Sequence, residues 1–159
     1  MYKIFVNCNR LALKLAVVMM RKSILILVLF SFFACEKNET NDILPQLIVN
    51  ITIDLNLPQY INLQTPSGWV YLQEGGLRGI FVQNTGVGNQ LYKAFDRACP
   101  NNDCNSPMNF DESFKLKCVC DESEYSIIDG QPQTAGNSHF AREYRVNILN
   151  NSGLNITNF

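Results

Sequence analysis

Four of the six cysteines of this 159-residue chain lie in two short segments whose spacing could support either metal binding or disulfide formation. The segments are FDRACPNNDC, with Cys99 and Cys104, and CVCDESEYS, with Cys118 and Cys120. Written as a pattern they read C-x4-C, thirteen intervening residues and C-x-C. A zinc ribbon uses two C-x2-C pairs, so this spacing supports zinc only weakly. An even set of cysteines in an exported domain predicts disulfides instead.

The N-terminal part of the chain has the pattern of an export signal that ends at Cys35. Residues 20–35 read MRKSILILVLFSFFAC, with two basic residues, an apolar run and a small residue before the cysteine. The run is short for a membrane span and is typical of a signal segment. Its end, FFAC, resembles the lipobox of bacterial lipoproteins, in which the cysteine is lipidated and becomes the new N-terminus. We therefore assign residues 1–35 to a signal segment and Cys35 to lipidation.

Two further interpretations concern the same region. Residues 1–18 are interpreted as an upstream mis-start, with Met19 or Met20 as the initiator, so that Cys8 is not part of the mature protein. The alternative to a signal segment is a single membrane anchor made of residues 11–34, which three basic residues interrupt.

Residues 36–46 are expected to form a polar tether between the lipidated cysteine and the folded domain. Glu36 is not the aspartate that holds lipoproteins in the inner membrane in well-studied systems, so the expected location is the outer membrane of a bacterial cell envelope. The formal net charge is −1 and the pI is about 5.8. The chain has no basic block, which argues against a nucleic-acid partner.

The elements that must position the cysteines are predicted to be strands, which makes residues 47–159 an all-β domain. Apolar and polar residues alternate from Leu47 to Leu55, as in a half-buried strand. RGIFVQN and QLYKAFDR flank the turn TGVGN and predict one hairpin, and EYRVNIL and LNITNF flank NNSG and predict another. Further strands are expected in GWVYL, SFKLKCV and EYSIID. No stretch has a convincing helical period.

The two cysteine segments resemble the ligand loops of the Rieske iron–sulfur family. There, the first loop of high-potential members is C-x-H-x-x-C and the second resembles C-P-C-H-G-S-x-F. Cysteine thiolates hold one iron of a [2Fe–2S] cluster and histidines hold the other, while the remaining cysteines form a disulfide. The resemblance covers residues 47–149 and implies an antiparallel β-sandwich with both loops at one tip. It implies ligand positions at Cys99 and Cys118, disulfide positions at Cys104 and Cys120, and the family's serine and aromatic residue at Ser123 and Tyr125.

This chain departs from that pattern at both histidine positions. Asn101 and Asp121 stand there, and Glu122 replaces the glycine that follows the second histidine. The only histidine, His139, lies outside both loops and cannot supply two imidazoles. Asn101 is a poor iron ligand, whereas Asp121 is able to ligate as a hard anion.

The resemblance and these departures together predict a Rieske-like domain without its cluster and hence without a cofactor. Cys99 and Cys118 are then expected to pair with each other, beside a Cys104–Cys120 bridge. The expected function is that of a lipid-anchored structural or binding module with an unidentified envelope protein as partner, and not that of an enzyme. The main alternative is an electron-transfer protein that keeps a [2Fe–2S] cluster on Cys99 and Cys118, with either Asp121 or all four cysteines completing the ligands. Two further alternatives are an adventitious zinc site and a subunit of an oxygenase.

Overall fold

The computed structural model describes residues 43–88, 90–111, 113–150 and 152–159. The signal segment, Cys35 and the first part of the tether lie outside these residues. The last tether residues contact the domain, since Leu44 is buried and the Arg142 guanidinium donates to the carbonyl oxygens of Leu44 and Pro45 at 2.7 Å each. No helix in the described part of the chain has the length and apolar character that crossing a membrane requires.

The described residues form an antiparallel β structure, as the sequence predicts. The strands are β1 (Asn50–Asp54), β2 (Trp69–Leu72), β3 (Ile80–Asn84), β4 (Tyr92–Asp96), β5 (Asn109–Phe110), β6 (Lys115–Lys117), β7 (Glu124–Ser126), β8 (Glu143–Leu149) and β9 (Gly153–Thr157). Both predicted hairpins are present, because β3 pairs with β4 and β8 pairs with β9. The short strand β5 was not predicted.

A 3₁₀ helix from Pro58 to Gln64 joins β1 to β2 and was also not predicted. Proline is favourable near a helix start because its φ is already helical and it has no N–H to satisfy. Seven residues of 3₁₀ helix are too short to show an α-helical period in the sequence. The buried side chain of Leu63 attaches this segment to the core.

The larger sheet has six strands in the order β1-β9-β8-β4-β3-β2. It curls around a first hydrophobic cluster, whose buried members include Ile53, Leu63, Val82 and Ile156. Alternate residues of its strands face inward, as the two-residue period of a strand requires. In β3, Ile80 and Val82 join the inner cluster, whereas Phe81 belongs to a second cluster on the other face.

The smaller sheet has three strands in the order β5-β6-β7 and covers the outer face of β3 and β4. Leu116 of β6 and Tyr125 of β7 share the second cluster with Phe81 and Phe95 of the larger sheet. Because both of its faces are covered, β3 is buried at all five positions. The two cysteine loops adjoin this second cluster.

Candidate functional site

The first cysteine loop begins at a buried carboxylate that belongs to the last residue of β4. Asp96 is fully buried, and its carboxylate accepts hydrogen bonds from Leu77 N at 2.7 Å, Ala98 N at 2.8 Å and Tyr144 Oη at 2.7 Å. Such bonds compensate the desolvation that a buried charge suffers. Burial raises the pKa of the Tyr144 hydroxyl, and the negative charge of Asp96 raises it further. The phenol therefore remains a donor, and the start of the loop is held on the sheet.

Arg97 joins the two ends of the same loop. Its Nε donates to Met108 O at 2.8 Å, and Nη2 donates to Asn109 Oδ1 at 3.1 Å. The guanidinium carbon lies 3.7 Å from the centre of the Tyr71 ring, within cation–π distance. Burial lowers the pKa of Arg97, although Tyr71 partly opposes this shift. The segment between residues 97 and 108 is thus closed at its base by one side chain.

The second cysteine loop is the turn between β6 and β7, and Asp121 organises it. Asp121 Oδ1 accepts from Ser123 N at 3.0 Å and from Ser123 Oγ at 2.7 Å, and Cys118 N donates to Ser123 O at 2.8 Å. Glu122 takes a left-handed conformation with φ of 59° in this turn. Burial alone would raise the pKa of Asp121, but hydrogen bonds from Ser123 and Asn101 outweigh it and lower the pKa.

Two disulfides join the loops, and both confirm the predicted pairing. Cys99 is bonded to Cys118, with Cα atoms 5.6 Å apart, and Cys104 is bonded to Cys120, with Cα atoms 5.7 Å apart. Cys99 and Cys118 are buried in the second hydrophobic cluster, whereas Cys120 is exposed. The first bridge is therefore part of the core, and the second lies towards the outer end of the loops.

Asn101 and Asp121, the two positions that the resemblance aligns with ligand histidines, contact each other. Asn101 Nδ2 donates to Asp121 Oδ2 at 3.1 Å and lies 3.4 Å from Asn137 Oδ1, which belongs to the later segment that contains His139. Asp121 also accepts from Ser123, so its oxygens are engaged within the protein. A neutral amide and a hydrogen-bonded carboxylate therefore close the space between the loops.

These residues do not fit a [2Fe–2S] cluster in their oxidised form. The sulfur atoms of Cys99, Cys104 and Cys118 lie within 4.8 Å of one another, but each is bonded to a partner sulfur. Iron and zinc bind thiolates, which a disulfide does not offer. One carboxylate, Asp121, does not replace two imidazoles. The same reasoning applies to the nearby group of Asp103, Cys118 and Asp121.

Ser123 and Tyr125, which the resemblance matches to the family's serine and aromatic residue, form a buried pair at the end of the second loop. Ser123 Oγ lies 3.1 Å from Tyr125 Oη, and both residues are fully buried. Burial raises the pKa of the Tyr125 hydroxyl. His139 is partly exposed and belongs to the segment that follows β7. This segment meets the loops through Asn137.

The residues that hold these loops in place are not evident from the sequence. Apart from the bond between Asp96 and Ala98, the side-chain hydrogen-bond partners of Asp96, Arg97 and Asn137 lie 11 to 48 positions away in the chain. Their positions at a strand end or in a loop give no periodic pattern that would have identified them.

Comparison with protein-family models, with curated proteins and with solved structures finds no match for this chain. The geometry of the two loops, and not a relative, therefore carries the functional argument.

Proposed function

We propose that this chain is a lipid-anchored protein of the bacterial cell envelope whose β domain is Rieske-like and has lost its iron–sulfur cluster. In this proposal the domain is a structural or binding module and not a catalyst. The observation that carries the proposal is the Cys99–Cys118 disulfide, which occupies the sulfur positions that a Rieske cluster would need.

Three features support the Rieske-like assignment. A small three-stranded sheet lies on a larger curled sheet, and the two cysteine loops adjoin the smaller one. The second cysteines of the two loops are bonded to each other, as in the family. Asn101 and Asp121, at the histidine positions, are within hydrogen-bond distance, so these positions face a common space.

The loops are suited to presenting a fixed surface to a partner protein. Two disulfides and the Asn101–Asp121 hydrogen bond restrain them, which reduces the entropy that binding would cost. Their outer surface combines exposed Val119 with the acidic side chains of Asp121 and Glu122. A rigid, mainly acidic surface of this kind favours a partner with basic groups.

A thiol count tests the loss of the cluster. The full chain is produced in an oxidising compartment, denatured without reductant and alkylated, and its peptides are analysed by mass spectrometry. We expect no alkyl group on any of the four loop cysteines, and full labelling after reduction as the control. Alkylation of Cys99 and Cys118 without reductant, together with iron in the native protein, would instead support the electron-transfer alternative.

Metabolic labelling with a radioactive fatty acid tests the lipid anchor. We expect label in the wild-type protein and none in Cys35→Ser, and we expect Cys35→Ala to behave in the same way. Retention of both variants in the membrane fraction with no label in the wild type would indicate the alternative anchor formed by residues 11–34.

A further inference from the structure

A cavity of about 680 Å³ lies between the two sheets, away from the cysteine loops. Gln83 and Lys93 of the larger sheet line one side, and Lys115 and Ser126 of the smaller sheet line the other. The volume falls within the roughly 300–1,000 Å³ that small-molecule sites occupy. The cavity is therefore large enough for an organic ligand.

Gln83 is a largely buried residue of β3 that lines the cavity. Only 6% of its surface is exposed, yet none of the side-chain hydrogen bonds of the described residues involves its amide. It pairs in register with Lys93, so both side chains lie on the face of the larger sheet that bears Phe81. Among the described residues every buried side-chain nitrogen and oxygen has a hydrogen-bond partner, so the unbonded amide of Gln83 is reached from the cavity. It can therefore form hydrogen bonds with a group bound there.

The charged side chains among the described residues of the cavity wall are both cationic. Lys93 and Lys115 are the charged side chains among its described lining residues. Lys93 Nζ contacts Glu143 Oε1 at 2.5 Å and Lys115 Nζ contacts Glu124 Oε2 at 2.6 Å, and neither glutamate lines the cavity. An ammonium has three N–H donors, so each lysine retains donors beyond its glutamate bond. The polar side of the cavity consequently offers donors to an anionic group.

Apolar side chains, among them Phe114 and Ile128, supply part of the wall, and Phe114 has an unusual backbone conformation. Phe114 has φ of 60° and is 57% exposed, and Ile128 is 73% exposed. A bulky residue at positive φ is strained, and such strain is concentrated at functional sites. Asp111 maintains the turn by accepting from Ser113 N at 3.0 Å and Lys115 N at 3.1 Å. Phe114 therefore lines the cavity in a backbone conformation that costs energy, and its ring packs against Phe110.

We propose that this cavity binds a small amphipathic carboxylate. The carboxylate accepts hydrogen bonds from the Lys93 ammonium and the Gln83 amide, and the apolar body packs against Phe114 and Ile127. The donors of Gln83 and Lys93 on the larger sheet and the apolar side chains of Phe114 and Ile127 opposite them match the two ends of such a molecule. This inference does not depend on the cysteine loops or on the Rieske-like assignment.

The test is an NMR titration of the full oxidised chain with three probes that share one apolar body. Phenylbutyrate is the anionic probe, phenylbutanol the neutral one and phenylbutylamine the cationic one. We expect phenylbutyrate to bind about tenfold more tightly than phenylbutanol, because a hydrogen bond to a charged group is stronger than one to a neutral group. We also expect it to shift the Gln83 side-chain amide resonances.

Matched variants locate the site. Gln83→Leu and Lys93→Met should each weaken phenylbutyrate binding by about tenfold, whereas Gln73→Leu, which changes an exposed glutamine outside the cavity, should leave it unchanged. If Lys93→Met does not fold, Lys115→Met serves as a second variant that removes a cationic group from the cavity. The proposal is overturned if the three probes bind equally, if none binds at millimolar concentration, or if Gln83→Leu binds phenylbutyrate like the wild type.

Discussion

Removal of each disulfide in turn should reveal how differently the two bridges contribute to stability. The variants are Cys99→Ala/Cys118→Ala and Cys104→Ala/Cys120→Ala, each of which keeps the other bridge. When one bridge is already present, the other bridge closes a ring of only about eight residues. The ring is small because the two cysteines within each loop are close together in the sequence. In the chain-entropy account such a ring contributes about 2.5 kcal/mol to the free energy of unfolding. This entropic part is the same for both bridges.

Burial then distinguishes the two bridges. Cys99 and Cys118 are 1% and 0% exposed, so deleting both sulfur atoms removes two buried groups from the core. At about 0.8 kcal/mol for each methylene-sized group, the expected loss rises to about 4 kcal/mol. Cys104 is 9% exposed and Cys120 is exposed, so the other variant should lose only about 3 kcal/mol.

Urea unfolding of the oxidised proteins measures both losses, and a thiol count of each variant verifies that the remaining bridge is intact. The free energy of unfolding follows from linear extrapolation, with the same m-value expected for the two variants. A loss for Cys104→Ala/Cys120→Ala that equals or exceeds the loss for Cys99→Ala/Cys118→Ala would refute the reasoning from burial. Losses below about 1 kcal/mol in both variants would refute the reasoning from chain entropy.

Three further outcomes follow from the described contacts. Tyr144→Phe removes a donor from the buried Asp96 carboxylate and should lower the free energy of unfolding in urea by about 1.5–3 kcal/mol. The pKa of Asp121 is lower in the folded protein than in the unfolded chain, where it is near 3.8. The ionised carboxylate therefore stabilises the fold above that pH, and this stabilisation is lost as the pH falls through the pKa of the folded state. Asp121→Asn should therefore reduce the acid dependence of stability below that pH, which circular dichroism during acid titration would detect. Gly130→Ala should lower the thermal midpoint more than Gly136→Ala, because both glycines have positive φ but only at Gly130 would a Cβ lie 2.6 Å from a backbone oxygen.

Local patterns were sufficient to predict most strands. The alternation in β1, the turn TGVGN and the turn NNSG are short-range features, and a strand or hairpin depends largely on such features. The two-residue strand β5 and the 3₁₀ helix were missed because they are too short to establish a period. The disulfide pairing came from the resemblance of the two loops to a known pattern, and the structure contains both bridges.

The roles of Asp96, Arg97 and Gln83 are visible only in the tertiary structure. Their side chains act through partners or surfaces from distant strands, and strand order is set by which faces bury the most apolar area together. Gln83 follows three apolar residues in β3, and only the gap between the two sheets shows that it lines a cavity. The sequence by itself determined the strand periods, the turns and the spacing of the cysteines, because these are properties of residues close together in the chain. Sheet packing decided the cavity and the closure of the loops, because both depend on contacts between residues far apart in the chain.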